Sequence, residues 1–262
     1  MFTQATTHKR KPRGFPSSVE QGSRILGQTG GRPAQMYLCE KAHGICPAES
    51  PLEKTIGQLA GLDPYVLSNA PQPFTIDVVS GELLRTPEER KLHRMTRDRS
   101  DARQREYTPD FCFNLIDGRR IVVEVKDPRF PCKEEYWRKV EKAKELLRAR
   151  GYHFQVISMV YAPSAPLVHN ADLLAAFQRN FKKTITQSQL SAIETGLGDA
   201  VSSLGHVAQL AGLSLREAPA LVLHGVVAAD ISIAPLGAST PVWLAHGDLE
   251  HLAVLEFIGD TK

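Results

Sequence analysis

The sequence lacks any apolar segment long enough to cross a membrane, and it contains only four cysteines in 262 residues. A membrane span requires about 18 or more consecutive apolar residues. The first residues, MFTQATTHKRKPRGFPSS, also lack the apolar core of a signal peptide. Disulfide frameworks belong to small secreted domains. We therefore expect a cytoplasmic protein with reduced thiols and no membrane partner.

An excess of charge of one sign is also missing. Lysine and arginine number 32 against 29 aspartates and glutamates, a margin too small to identify a nucleic-acid partner. The position of the charges therefore matters more than their sum. At 42% hydrophobic residues the chain can form proper cores, and we expect two domains.

Composition divides the chain into three parts. Residues 1–34 are rich in Gly, Pro, Ser, Lys and Arg without apolar periodicity, which predicts a disordered basic arm. Residues 35–165 alternate helix and strand patterns, which predicts an α/β domain. After the breaker-rich APSAPL, residues 166–262 show helix patterns over 169–182, 186–200, 204–212 and 214–228. A helix-turn-helix around AGLS and a wing in DISIAPLGASTPVWLA predict a helical winged-helix-like domain.

Within the α/β part, SPLEKTIGQLAGL has the residues of a capping box, with Ser50 as cap, Pro51 in the first turn and Glu53 three positions on. We expect this helix to end at Gly61. Residues 85–106 are polar and arginine-rich, which predicts an exposed connection. A hairpin follows, formed by DFCFNLI, the turn DGRR and IVVEVK, and then come an amphipathic helix over 133–150 and the strand HFQVISMVY.

The hairpin places charge in the most strand-like stretch of the chain. Strand alternation puts Glu124 and Lys126 on one face, and Asp110 begins the partner strand beside them. Two carboxylates and a backbone carbonyl such as that of Val125 suit Mg²⁺ or Mn²⁺. The ammonium of Lys126 can orient the attacking water or stabilise a pentavalent phosphate. The alternative is an exposed face on which Glu124 and Lys126 are solvated and Asp110 caps a turn.

These residues resemble a known superfamily, the PD-(D/E)xK nucleases, and within it the TnsA transposon-end endonucleases. The resemblance rests on ESPLEKTIGQLAGLDPYVLSNAPQPFTIDV, YTPDF and VEVK, and it covers roughly residues 47–162 closely. It implies a restriction-endonuclease-like core, a mixed sheet flanked by helices. Residues 166–262 resemble the family only in architecture.

The resemblance also implies roles for individual residues. Glu53 corresponds to the helix carboxylate, Asp110 to the central metal ligand, Glu124 to the second strand position and Lys126 to the catalytic lysine. The expected metal ligands are therefore Glu53, Asp110, Glu124 and Val125. Some TnsA proteins carry glutamine where this chain has Glu124, so this site has one additional charge.

Several basic and polar residues near the motif could contact DNA phosphates. The expected contacts are Gln72, Arg103, Arg105, Lys133, Arg138 and Lys142. Each has a simpler alternative. A polar residue before a strand proline is often a cap, and a charged helix face is usually solvated. Acidic residues between the arginines also allow internal ion pairs.

The second domain offers little for reading bases. Its candidate recognition helix, LSLREAPALVLHGVV, presents essentially Arg216 and is otherwise apolar. The resemblance implies cleavage of double-stranded DNA at transposon ends, in a complex with a DDE transposase and an AAA+ regulator ATPase at the bacterial nucleoid. The alternatives are a restriction or repair nuclease that works alone and a non-catalytic adaptor that retains the fold.

Overall fold

The computed structural model describes residues 35–42, 45–96, 102–180, 184–198 and 200–257, with the backbone alone at 102–103. The expected basic arm, residues 1–34, lies outside this part of the chain. The strands are β1 (Gln35–Leu38), β2 (Ile45–Ala48), β3 (Val66–Pro71), β4 (Thr75–Asp77), β5 (Leu83–Leu84), β6 (Glu106–Tyr107), β7 (Phe111–Leu115), β8 (Arg120–Lys126), β9 (His153–Ser158), β10 (Ser202–Ser203), β11 (Val227–Ala228) and β12 (Pro241–Leu244). The helices are α1 (Pro51–Leu62), α2 (Pro87–Met95), α3 (Ala102–Arg105), α4 (Glu134–Arg148), α5 (Pro166–Asn180), α6 (Gln187–Leu197), α7 (Leu204–Leu210) and α8 (Pro219–Leu223), with a 3-10 turn at Glu250–Leu252.

The central sheet is mixed and has the strand order β3-β7-β8-β9. Strands β3, β7 and β8 are antiparallel neighbours, and β9 runs parallel to β8 after the α4 crossover. The predicted hairpin is confirmed, with Phe111 opposite Val123. Gly118 takes φ +85° in its turn, a conformation that glycine adopts at little cost.

The two faces of the sheet carry different apolar clusters because successive strand residues point to opposite sides. Phe111, Val123 and Val125 belong to the cluster that includes α1. Cys112 and Val122 belong to the second cluster, which includes α4. The chain therefore has an α/β core with a mixed sheet flanked by helices.

Helix α1 begins as predicted, with the Ser50 hydroxyl accepting from the Glu53 backbone N–H. The helix does not end at Gly61, however, but continues to Leu62, and the Asp63 N–H closes it on the carbonyl of Leu59. Gly61 serves close packing instead. A Cβ there would lie 3.0 Å from the Cys39 Sγ, and one at Gly57 would lie 2.3 Å from the Tyr37 ring. Strand β1 can therefore pack directly on this helix.

The stretch expected as an exposed connection contains a helix. Helix α2 has a complete capping box between Thr86 and Glu89, with Pro87 in its first turn. It has no buried residue, so it has no apolar stripe that a periodicity search could detect. It packs beside β5, an edge strand of the small sheet of order β5-β4-β6.

The part of 166–257 that the structure describes contains four α-helices, α5 to α8, and a small antiparallel sheet of order β10-β12-β11. The helix expected over 214–228 is wrong, because α8 covers only Pro219–Leu223. The same apolar cluster that packs under α1 continues through Ala171 and Leu174 of α5 to Val242. Residues on both sides of position 165 thus share one core. No helix in the described ranges is long and apolar enough to cross a membrane.

Candidate active site

Four charged side chains singled out from the sequence line one cavity of about 430 Å³: Glu53, Asp110, Glu124 and Lys126. Glu53 comes from the first turn of α1, and the other three come from the β7–β8 hairpin. The cavity lies just beyond Phe111–Val123, the last ladder pair of the two strands. Residues far apart in sequence therefore meet at one end of the sheet.

Asp110 is fixed by backbone contacts on both sides. Its N–H donates to the carbonyl of Val123 at 3.1 Å, and its carbonyl accepts from the Gln72 N–H at 2.8 Å. Its Oδ2 accepts from the Val125 N–H at 2.7 Å. Within the described residues Oδ1 accepts no hydrogen bond. This oxygen is the free acceptor that a cation or a water would use.

The backbone carbonyl of Val125 points toward Asp110. The carbonyl of Lys126 accepts from the Met159 N–H at 3.0 Å, so it points toward the side of β9. Carbonyl directions alternate along a strand, and the N–H and carbonyl of one residue point to the same side. Because the Val125 N–H points to Asp110, its carbonyl does so as well.

Glu124 is 2% exposed and is held by three donors. The Tyr107 hydroxyl donates to Oε2 at 2.6 Å, while the Tyr136 hydroxyl and the Lys126 ammonium both bind Oε1. Each carboxylate oxygen offers about two acceptor positions. Oε1 is therefore filled, and Oε2 retains one position.

Lys126 lies above the ring of Tyr136, with Nζ 4.8 Å from the ring centroid. Burial alone would lower the pKa of this lysine, but the carboxylates of Glu124 and Asp110 outweigh burial and raise the pKa above its ordinary value. The side chain is therefore a cation at neutral pH. It can hold an anionic oxygen or a water at the cavity.

Glu53 is half-buried and serves the start of its own helix. Oε1 accepts from the Ser50 hydroxyl at 2.8 Å and Oε2 accepts from the Glu49 N–H at 2.8 Å. Each oxygen keeps a further acceptor position. Gln72 links two residues that line the cavity. Its side-chain amide donates to Glu49 Oε1 at 3.0 Å, and its backbone N–H donates to the carbonyl of Asp110. Gln72 is 5% exposed, so it acts on the position of the site rather than offering a surface to DNA.

The carboxylates of Glu124 and Glu53 concentrate negative charge around Asp110. Burial, followed by the charges of Glu124 and Glu53, raises the pKa of Asp110 well above its ordinary value. Burial also raises the pKa of Glu53. A divalent cation relieves such crowding, and oxygen ligands are those that Mg²⁺ and Mn²⁺ prefer. Asp110 Oδ1, Glu124 Oε2 and the Val125 carbonyl fit such an ion.

As the side chains stand, no group of three or more His, Cys, Asp or Glu residues in the described ranges is close enough to hold a metal ion. The hydrogen bonds explain this geometry, since Glu53 is turned to the helix start and Glu124 is held by its three donors. A fully assembled ligand set that includes Glu53 would require its carboxylate to turn.

The expected DNA contacts occupy different environments. Arg105 is paired with Asp77 at 3.1 Å, so its charge is already compensated. Lys133, Arg138 and Lys142 are exposed on or beside α4, and Arg138 pairs with Glu134. Lys133 and Arg138 line a second cavity of about 650 Å³ next to the first. The side chain of Arg103 lies outside the described residues.

Several cavity residues were not assigned to the site from the sequence. Tyr107, Tyr136 and Arg90 line it; Arg94 and Lys139 line it as well, and these two lie in basic stretches of the sequence that could contact DNA phosphate. The two tyrosines occur on separate elements at no distinctive spacing, and their rings pack edge to face with centroids 6.5 Å apart. Position in the fold, rather than sequence pattern, brings them to Glu124. Lys139 lines both cavities and so joins them.

Comparison with protein-family models and with curated proteins finds no match to this chain.

Proposed function

We propose that the chain is a metal-dependent endodeoxyribonuclease of the PD-(D/E)xK type. The observation that carries this proposal is the convergence of Glu53, Asp110, Glu124 and Lys126 in one cavity at the open end of an antiparallel hairpin. Three carboxylates close to one lysine are costly to keep ionised unless a further cation compensates them. We also propose that the α/β core has the restriction-endonuclease-like fold.

In this proposal the residues divide the work of phosphodiester hydrolysis. Mg²⁺ or Mn²⁺, held by Asp110, Glu124 and the Val125 carbonyl with Glu53 as a further ligand, would supply positive charge at the scissile phosphate. Lys126 orients the attacking water and stabilises the charge that develops on phosphate. Tyr107 and Tyr136 hold Glu124 in place.

Within this class we propose a TnsA-like enzyme that cuts at transposon ends beside a DDE transposase and an AAA+ ATPase. The C-terminal elements support a winged-helix interpretation, since α6, β10, α7, α8, β11 and β12 follow in the order of that fold with β12 central. Helix α8 is a poor base reader, because Pro219, Leu221 and Val222 are buried. Sequence specificity would then come from the partners.

The central test is cleavage of supercoiled plasmid DNA by the purified chain in Mg²⁺ or Mn²⁺. We expect Asp110→Ala and Asp110→Asn to abolish cleavage and to retain the far-ultraviolet circular dichroism of the wild type. Asp117→Asn, in the hairpin turn, is the matched control and should cleave normally. Full activity in folded Asp110→Asn would refute the assignment of the site.

A second test concerns the transposon. The isolated chain should cut weakly and with little sequence preference, because backbone contacts carry no sequence information. Addition of the transposase and ATPase encoded in the same transposon should direct cuts to its ends. Strong end-specific cleavage by the isolated chain would favour an autonomous nuclease.

A further inference from the structure

Two arginines of helix α2, Arg90 and Arg94, line the cavity, and the buried carboxylate of Glu106 binds both of them. Glu106, whose side chain is 3% exposed, accepts from Arg90 Nε at 2.7 Å and from Arg94 Nε at 2.6 Å. A second nitrogen of each guanidinium, Nη2, also binds its Oε2. Glu106 lies next to Tyr107 on β6, so consecutive residues hold the arginines and Glu124.

The two guanidiniums differ in how much surface they keep. The side chain of Arg90 is 15% exposed, whereas that of Arg94 is 43% exposed. Arg94 uses its Nε and Nη2 edge for Glu106. Among the residues that the structure describes, its Nη1 donates to none. A guanidinium has five N–H donors in a planar fork, so a second edge of Arg94 stays available.

We propose that Arg94, fixed by Glu106 beside Arg90, binds a phosphodiester group of the DNA strand that enters the cavity. This inference rests on the proposed nuclease function and names a residue that anchors its substrate. The arginines and the carboxylates of Glu53, Asp110 and Glu124 line the same cavity.

Charge gives the physical reason for such an anchor. Carboxylates repel an approaching DNA strand, and the attraction of a nearby cation offsets this repulsion. Arginine binds phosphate through two parallel hydrogen bonds, and a guanidinium already held by a carboxylate loses little freedom when it does so. Lys139, on α4, provides a further cation at the cavity. A DNA strand that contacts Arg94 therefore lies beside the carboxylates of Glu53, Asp110 and Glu124.

The test measures DNA binding separately from cleavage. The full chain carrying Asp110→Asn, which prevents cutting, is titrated into a fluorescein-labelled duplex oligonucleotide in EDTA, with salt varied between about 50 and 200 mM. Arg94→Gln is compared with Arg119→Gln, since Arg119 is also paired with a carboxylate, that of Asp117, but lies in the hairpin turn. Arg94→Lys keeps a charge for Glu106, so it remains informative if the glutamine variant unfolds.

We expect Arg94→Gln to weaken DNA binding and to lower the slope of log K against log salt by about 0.9, the effect of losing one phosphate contact on duplex DNA. Arg94→Lys should weaken binding with the slope retained, and Arg119→Gln should change neither. Unchanged affinity in both Arg94 variants, or an equal change in Arg119→Gln, would overturn the proposal. Absence of cleavage by the wild type in Mg²⁺ and Mn²⁺ would instead count against the proposed function and leave this binding result standing.

Discussion

Glu124 shows how single hydrogen bonds define the site. A carboxylate only accepts, so each of the two phenols that contact it must donate its one proton. Their direction of donation is thereby fixed, and so is the orientation of the carboxylate. Partners of this kind usually matter for metal affinity almost as much as the ligands themselves.

This arrangement gives the first prediction. Tyr136→Phe should raise the Mn²⁺ or Mg²⁺ concentration needed for half-maximal cleavage about 10-fold or more, because Glu124 loses one of its three donors. Excess metal should restore most of the rate, which a general loss of structure would not allow. Tyr152→Phe, in the same apolar cluster, is the control. An unchanged metal requirement in Tyr136→Phe would show that its hydroxyl does not position Glu124.

Asp110 gives a prediction about stability and pH. Its pKa is raised in the folded chain, first by burial and then by Glu124 and Glu53, so folding favours its neutral form. The stability that protonation provides is present below the unfolded pKa of about 3.9 and is lost as the pH rises through the raised native pKa. At neutral pH without divalent metal, Asp110→Asn should therefore melt about 2–4 °C higher, roughly 1 kcal/mol in a chain of this size.

The control is the pH series itself. The difference in melting temperature between Asp110→Asn and the wild type should shrink as the pH falls below the raised pKa. A metal ion should reverse the order by stabilising only the wild type. A variant less stable than the wild type at neutral pH in EDTA would contradict this account.

At the residue scale, the sequence predicted the charged groups better than their supports. A carboxylate and a lysine two positions apart on an apolar strand are visible as a pattern, and Asp110 follows from the hairpin register. Tyr107 and Tyr136 are not visible in this way, because each also fits an ordinary amphipathic or apolar position. Only the packing of α4 against β6 brings their hydroxyls to one carboxylate.

Among the elements, α1 depends on glycine for its place against β1. Gly57→Ala should destabilise the fold by about 1–3 kcal/mol, because the new Cβ would meet the Tyr37 ring at 2.3 Å. Gly237→Ala, where the nearest atom lies 3.9 Å away, should have little effect. Chemical denaturation measures both. Equal stability of the two variants would show that β1 can move off the helix at no cost.

The elements also show which sequence signals are reliable. Strands β7 and β8 were predictable because alternation and an Asp-Gly turn agree with each other. Helix α2 was missed because it has no buried apolar residue, although Thr86, Pro87 and Glu89 carry a capping box. The helix expected over 214–228 was too long because its mostly apolar residues fit a buried segment of any kind, and Gly225 takes φ +63° soon after α8 ends.

For the whole molecule, the shared apolar cluster predicts one cooperative unfolding transition. Buried residues of α5 pack with those of α1, and Gln58 donates to Asp172 at 2.8 Å across the position where we expected a domain boundary. The two tryptophans offer a direct measurement, since Trp137 lies in α4 and Trp243 in β12. Single-tryptophan variants, Trp243→Phe and Trp137→Phe, should each show fluorescence and circular dichroism midpoints that coincide.

The same measurements would also detect independent unfolding of the two parts. Two separated transitions, each followed by one tryptophan, would establish independent domains. Removal of residues 166–262 should then give a stable fragment, whereas a shared core predicts that the fragment aggregates because the apolar residues of α1 that pack on α5 become exposed.

The order of the elements along the chain has a consequence for protein synthesis. Glu53, Asp110, Glu124 and Lys126 all leave the ribosome before Tyr136, before β9 and before α5. A nascent chain that ends soon after Lys126 already contains every carboxylate that lines the cavity, and Lys126 itself. It lacks the phenol from α4 that holds Glu124 and the α5 surface that buries α1. Assembly of the cavity thus waits until α4 and α5 have been synthesised, which would keep the proposed nuclease inert until then.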